Sequence, residues 1–114
     1  MKMKHITIRT AELEKSIKFY QDIIGLEIQR DLRQFGSPIV FLADGDDPCI
    51  ELIEDAAQAY SGAGISIGFH VEDVEGKRAE LEEKGFAPTP MISPDPNVKF
   101  FFIKDPDGVT IQFI

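Results

Sequence analysis

The side chains of this chain that could do chemistry fall on one parity of four extended runs. His5, Thr7 and Arg9 alternate with Ile6 and Ile8, and Ser66, Gly68 and His70 alternate with Ile65, Ile67, Phe69 and Val71. In two further runs the same parity sets Glu51 apart from Ile50 and Leu52, and Gln112 apart from Ile111 and Phe113. An imidazole, a carboxylate, a guanidinium, hydroxyls and an amide on one surface can bind an oxygen-rich ligand, move a proton or contribute to a metal site. Polar groups drawn out of water on such a face need partners, or a ligand that supplies them. Cys49 shares the parity of Glu51, and nothing near it in sequence would activate it, so it reads as an inert thiol.

The elements that must position these residues are written twice. His5 to Thr10 has the period of a half-buried strand, and Leu13, Ile17, Tyr20 and Ile24 then take helical spacing up to Gly25, a left-handed cap position. From Gly64 the order recurs: a strand through Val71, a helix over Val74 to Lys84 with Asp73 as N-cap, then Gly85 in the place of Gly25. Further extended runs follow each helix. Leu26 to Arg33, Ile39 to Ala43 and Cys49 to Glu54 belong to the first copy; Phe86 to Ser93, Val98 to Lys104 and Val109 to Ile114 belong to the second. In the Leu26 run, Glu27, Gln29 and Asp31 form a polar face and Leu26, Ile28 and Arg30 the other. Pro88, Pro90 and Pro94 confine the sixth strand to an edge or an irregular path. Turns are marked by Phe35-Gly36-Ser37-Pro38, by Asp44-Gly45, and by Asp105-Pro106-Asp107-Gly108.

The pattern predicts an α+β fold of two βαβββ modules, about 1–55 and 64–114, in a single domain over 1–114. The small polar stretch 55–64 links the modules, since neither half alone holds enough core. The helices cover the apolar faces and leave an open, curved mixed sheet whose inner face carries the polar parity. A ferredoxin-like sandwich is the structural rival, with fewer strands after each helix.

With 114 residues, 43% hydrophobic and 28% charged, the composition is that of an ordinary globular domain. A net charge of -8 argues against a nucleic-acid partner and against an anionic membrane surface. One cysteine precludes an intrachain disulfide and fits a reducing cytoplasm. The first ten residues read as neither a signal peptide nor an anchor, and no run approaches a membrane span. Open sheet edges, above all at the Pro-rich sixth strand, predict a homodimer.

The chain resembles the vicinal oxygen chelate superfamily, which holds glyoxalase I, the bleomycin-resistance proteins and type I extradiol dioxygenases. The resemblance is carried by His5, Leu13-Glu14-Lys15-Ser16, Phe19-Tyr20, Gly25-Leu26, Ile50-Glu51-Leu52, and Asp105-Pro106-Asp107-Gly108 through Ile111-Gln112. It implies the paired-module fold and a divalent metal (Zn, Ni, Mn or Fe) held by one residue from each of the first, fourth, fifth and eighth strands. His5 and Glu51 match two of these ligands, and Gln112 stands where the family usually has Glu. The fourth position falls on Ser66 when the two modules are counted against each other. His70 matches Arg9 instead, about 13 Å further along a strand.

One imidazole, one carboxylate and a neutral amide make a weak or vacant metal site. The leading expectation is therefore a small-molecule-binding protein with a degenerate metal site. Its ligand would be met by Thr7, Arg9, Ser66, His70, Phe100 and Phe102, with an anionic or oxygen-rich group near Arg9. The alternative is a metal-dependent glyoxalase I-like lyase or isomerase, or an epimerase, with Glu51 moving a proton beside a carbonyl. An extradiol dioxygenase ranks below both, because its iron needs two His and a carboxylate.

Overall fold

The computed structural model describes residues 1–114, which form two compact units, Met1–Ser61 and Gly62–Ile114. The first contains β1 (His5–Thr10), α1 (Leu13–Phe19), β2 (Glu27–Asp31), β3 (Ile39–Ala43) and β4 (Cys49–Glu54). The second contains β5 (Ser66–Phe69), α2 (Val74–Glu83), β6 (Ile92–Asp95), β7 (Val98–Lys104) and β8 (Thr110–Phe113). Each unit is a βαβββ module with a four-stranded mixed sheet, ordered β1-β4-β3-β2 in one and β5-β8-β7-β6 in the other. In both, the first and last strands pair in parallel and the other pairings are antiparallel. No helix is long and apolar enough to cross a membrane.

Alternation fixes the faces. Ile8, Ile50, Leu52, Val40 and Leu42 are buried on one side of the first sheet, with Leu13, Ile17 and Phe19 of α1. In the second unit Phe101, Ile103, Ile111 and Phe113 are buried, but α2 contributes Leu81 alone. Ile65, expected on that apolar face, lies before β5 and is exposed.

The two helices also begin differently. Asp73 caps α2 as its sequence predicts, its Oδ1 accepting from the Gly76 amide at 2.9 Å. Glu12 makes no such bond; the Leu13 amide donates instead to Glu54 Oε2 of β4, at 2.8 Å. The helix ends match in outcome, with φ of 88° at both Gly25 and Gly85. Leu13 to Gly25 is twelve steps and Val74 to Gly85 eleven, so the first module carries one residue more. A π-helical turn over Tyr20–Ile24 absorbs it and buries Tyr20 completely.

Two runs differ from the pattern read in the sequence. The Leu26 to Arg33 strand ends at Asp31, where the carboxylate accepts from the Arg33 amide and starts a 3-10 turn over Leu32–Phe35. In the Phe86 to Ser93 run strand pairing starts only at Ile92, beyond Pro88 and Pro90, and continues to Asp95 as an edge strand.

Candidate functional site

In the first unit the parallel β1/β4 register sets His5 beside Cys49 and Thr7 beside Glu51. Glu51 lies on a central strand, its side chain only 13% exposed, so its carboxylate needs partners. It has two: the Thr7 hydroxyl donates to Oε1, and His5 Nε2 stands 3.5 Å from the same oxygen. Antiparallel pairing with β3 puts Phe41 on the other flank of Glu51, and the Phe41 ring meets His5 edge-on at 5.7 Å. Arg9 continues the β1 face, and its Nε lies 3.5 Å from Asp55 Oδ2.

The face extends to β2 through an irregularity. Between Ile28 and Arg30 the β2/β3 register shifts by one residue, so Ile28 pairs with Leu42 but Arg30 pairs with Phe41. A bulge at Gln29 therefore turns Arg30 from the apolar side, where simple alternation put it, to the side of Phe41 and Glu51. Lys4, His5, Gln29, Arg30, Phe41 and Cys49 together line a hollow of about 380 Å³.

The second unit repeats the register with other side chains. Ser66 pairs with Thr110 and Gly68 with Gln112. Ser66 thus holds the place of His5, as counting residues gave, Gly68 that of Thr7, and Gln112 that of Glu51. Gly68 leaves room for its neighbour, since a Cβ there would lie 3.0 Å from Gln112 Oε1. Phe102 flanks Gln112 as Phe41 flanks Glu51, and Phe100 meets it edge-on at 5.6 Å. His70 lies past the end of β5, with its side chain 76% exposed and Nε2 3.7 Å from Glu72.

The structure thus brings His5, Thr7 and Glu51 together in one unit, and Ser66, Gln112, Phe100 and Phe102 onto one face of the other. Sequence reasoning passed over Phe41, Gln29 and Arg30. Phe41 was legible from the repeat, as the counterpart of Phe102. Arg30 was not, because the bulge that re-aims it carries no Gly or other marker.

The donor set decides what a metal would find. His5 and Glu51 are one imidazole and one carboxylate, and no group of three or more His, Cys, Asp or Glu side chains gathers in the structure. The matching positions of the second unit offer a hydroxyl, no side chain and a neutral amide. A tight site for Zn or a similar ion takes three or four imidazole, thiolate or carboxylate ligands, and this set does not fit that requirement.

The sequence model of the Glyoxalase/Bleomycin resistance protein/Dioxygenase superfamily matches residues 2–113. The chain is 29% identical over 126 residues to the lactoylglutathione lyase of Haemophilus influenzae, covering 100% of this chain and 92% of that one. It is 30% identical over 128 residues to the probable lactoylglutathione lyase of Synechocystis, covering 100% and 95%. The solved trypanothione-dependent glyoxalase I of Leishmania major matches with a TM-score of 0.78 at 29% identity, over 100% of this chain and 86% of that one. TnmS3, an antibiotic-binding protein from Streptomyces, matches with a TM-score of 0.80 at 21% identity, over 99% and 93%, which is a likeness of fold.

Proposed function

This chain belongs to the Glyoxalase/Bleomycin resistance protein/Dioxygenase superfamily, and we propose that it works there as a small-molecule-binding protein with a degenerate metal site. The observation that carries this reading is the donor set. Glu51 accepts a hydrogen bond from Thr7 and has His5 beside the same oxygen, and its counterpart Gln112 brings no charge. The ligand contacts proposed are Thr7 and Arg9 on β1, Ser66 at the start of β5, His70 just beyond it, and Phe100 and Phe102 on β7. A partly apolar molecule with an oxygen-rich or anionic group suits this mixture. The protein is proposed to act as a homodimer, in which a second chain covers open edges such as β6, whose residues are all exposed. Sedimentation at micromolar concentration should give the dimer mass, and a monomer would count against it.

A second reading is favoured by one finding, that relatives spanning the whole chain are named lactoylglutathione lyase. Under it Glu51, held by Thr7 and His5, is the base that moves a proton beside a carbonyl. His5, Glu51 and Gln112 are the residues a divalent ion would have to use. The two readings part in a lactoylglutathione-forming assay with added Ni, Zn or Mn. The binding reading expects little turnover. A rate in the ordinary enzymatic range, about 1–1,000 per second, that Glu51→Gln abolishes would establish the lyase instead.

A further inference from the structure

Three of the four arginines are engaged by carboxylates: Arg9 by Asp55, Arg33 by Asp31 and Glu14, and Arg78 by Glu82. Arg30 is the exception. Its guanidinium has no ion-pair or hydrogen-bond partner, in a chain whose net charge is -8. The side chain of Lys4 is likewise unpartnered. Both line the hollow of about 380 Å³ whose other walls include Phe41, His5, Gln29 and Cys49. That volume lies within the range of roughly 300–1,000 Å³ usual for small-molecule pockets. The bulge at Gln29 aims the cation there, because regular pairing would have left Arg30 on the buried side of β2.

We propose that this hollow is a subsite for an organic anion, with Arg30 as the counter-charge and Phe41 as the apolar wall. The ligand class is a flat, partly aromatic molecule bearing a carboxylate, sulfonate or phosphate. A guanidinium can meet such a group through two parallel N–H donors, and Lys4 adds a second positive charge at the rim. Arg9 serves this purpose less well, since Asp55 already faces it at 3.5 Å. Placing a charge on β2 could also serve only to protect a sheet edge, because β2 ends the order of its sheet. That role requires no selectivity for anions, so the two can be separated. The inference rests on the reading of this face as a small-molecule site and adds the chemistry of one part of it.

The test uses two fluorescent probes of similar shape, 1-anilinonaphthalene-8-sulfonate, which is anionic, and N-phenyl-1-naphthylamine, which is neutral. Each is titrated into the full-length protein, with circular dichroism of every variant as a check on folding. Arg30→Gln should weaken the sulfonate about tenfold, the worth of one charge-assisted hydrogen bond, and leave the neutral probe unchanged. Arg30→Lys should retain most of the sulfonate affinity, and Phe41→Ala should weaken both probes. If Arg30→Gln shifts neither probe, or both equally, the anion subsite is wrong; loss of both probes in Phe41→Ala would then leave the small-molecule reading standing. If neither probe binds the unaltered protein, that reading fails and the subsite with it.

Discussion

The β1/β4 pair and the β5/β8 pair share one backbone solution and carry opposite chemistry. In both, a parallel register sets the third residue of the first strand beside the third of the last: Thr7 beside Glu51, Gly68 beside Gln112. On the first pair the charge of Glu51 is retained and engaged by Thr7 and His5. On the second every matched position is neutral. A repeated fold therefore repeats the geometry of a site without repeating its ligands, because register is set by the apolar faces and turns while the opposite face is free to diverge. The helices show the same division. α1 buries Leu13, Ser16, Ile17 and Phe19, whereas α2 buries only Leu81.

The largest expected effect follows from that last contrast. Leu81→Ala removes the one buried side chain that docks α2 and should cost about 2–5 kcal/mol. Amide exchange in α2 should then approach unprotected rates. Ile17→Ala should leave α1 protected, since Leu13 and Phe19 still hold it. Equal loss of protection in both helices would break the comparison.

The helix starts give a middle-sized effect. Asp73→Ala deletes the oxygen that accepts from the Gly76 amide and should cost about 1 kcal/mol in denaturant unfolding. Glu54→Gln keeps an amide oxygen that can still accept from Leu13, so it should cost less. A larger loss for Glu54→Gln would mean that the charge, and not the hydrogen bond, secures α1.

Smaller effects come from the surface pairs and from Gly68. Hydrogen bonding from Arg33 holds the Asp31 carboxyl below its ordinary range. A lowered folded-state value contributes stability above the unfolded-state value, and that contribution is lost as pH falls through the folded one. Asp31→Asn should therefore lower the melting temperature slightly near neutrality and not in acid; an equal decrement at both pH values would show that charge is not involved. Gly68→Ala sets a Cβ 3.0 Å from Gln112 Oε1, at the far end of a flexible side chain. The lost freedom of the unfolded chain returns about 0.4–1 kcal/mol and should roughly offset that contact, for a net change of only a few tenths. A large loss would mean that Gln112 is rigidly held.

Much of this was legible in the sequence where alternation ran between clear turns. Ile39–Ala43, Cys49–Glu54 and Val98–Lys104 take the bounds their apolar patterns gave. The match of Ser66 to His5 also followed from counting, because no insertion separates β1 from the start of α1 differently from β5 and α2. Single-residue insertions were not legible. The π-helical turn at Tyr20–Ile24 and the bulge at Gln29 each add one residue without a Gly or Pro to announce it, and each changes which side chain faces where. The second of these hid Arg30. Phe41 lies in a short strand of five apolar residues where burial on either face reads alike, so only the repeat, through its counterpart Phe102, could single it out.

The central claim is that the donors on these two faces do not make a tight metal site, and metal content tests it most directly. Protein purified without a His-tag and without added metal should hold well below one Zn, Ni, Mn or Fe per chain by elemental analysis. One tightly held ion per chain, retained on dialysis and lost in His5→Ala or Glu51→Gln, would contradict the account.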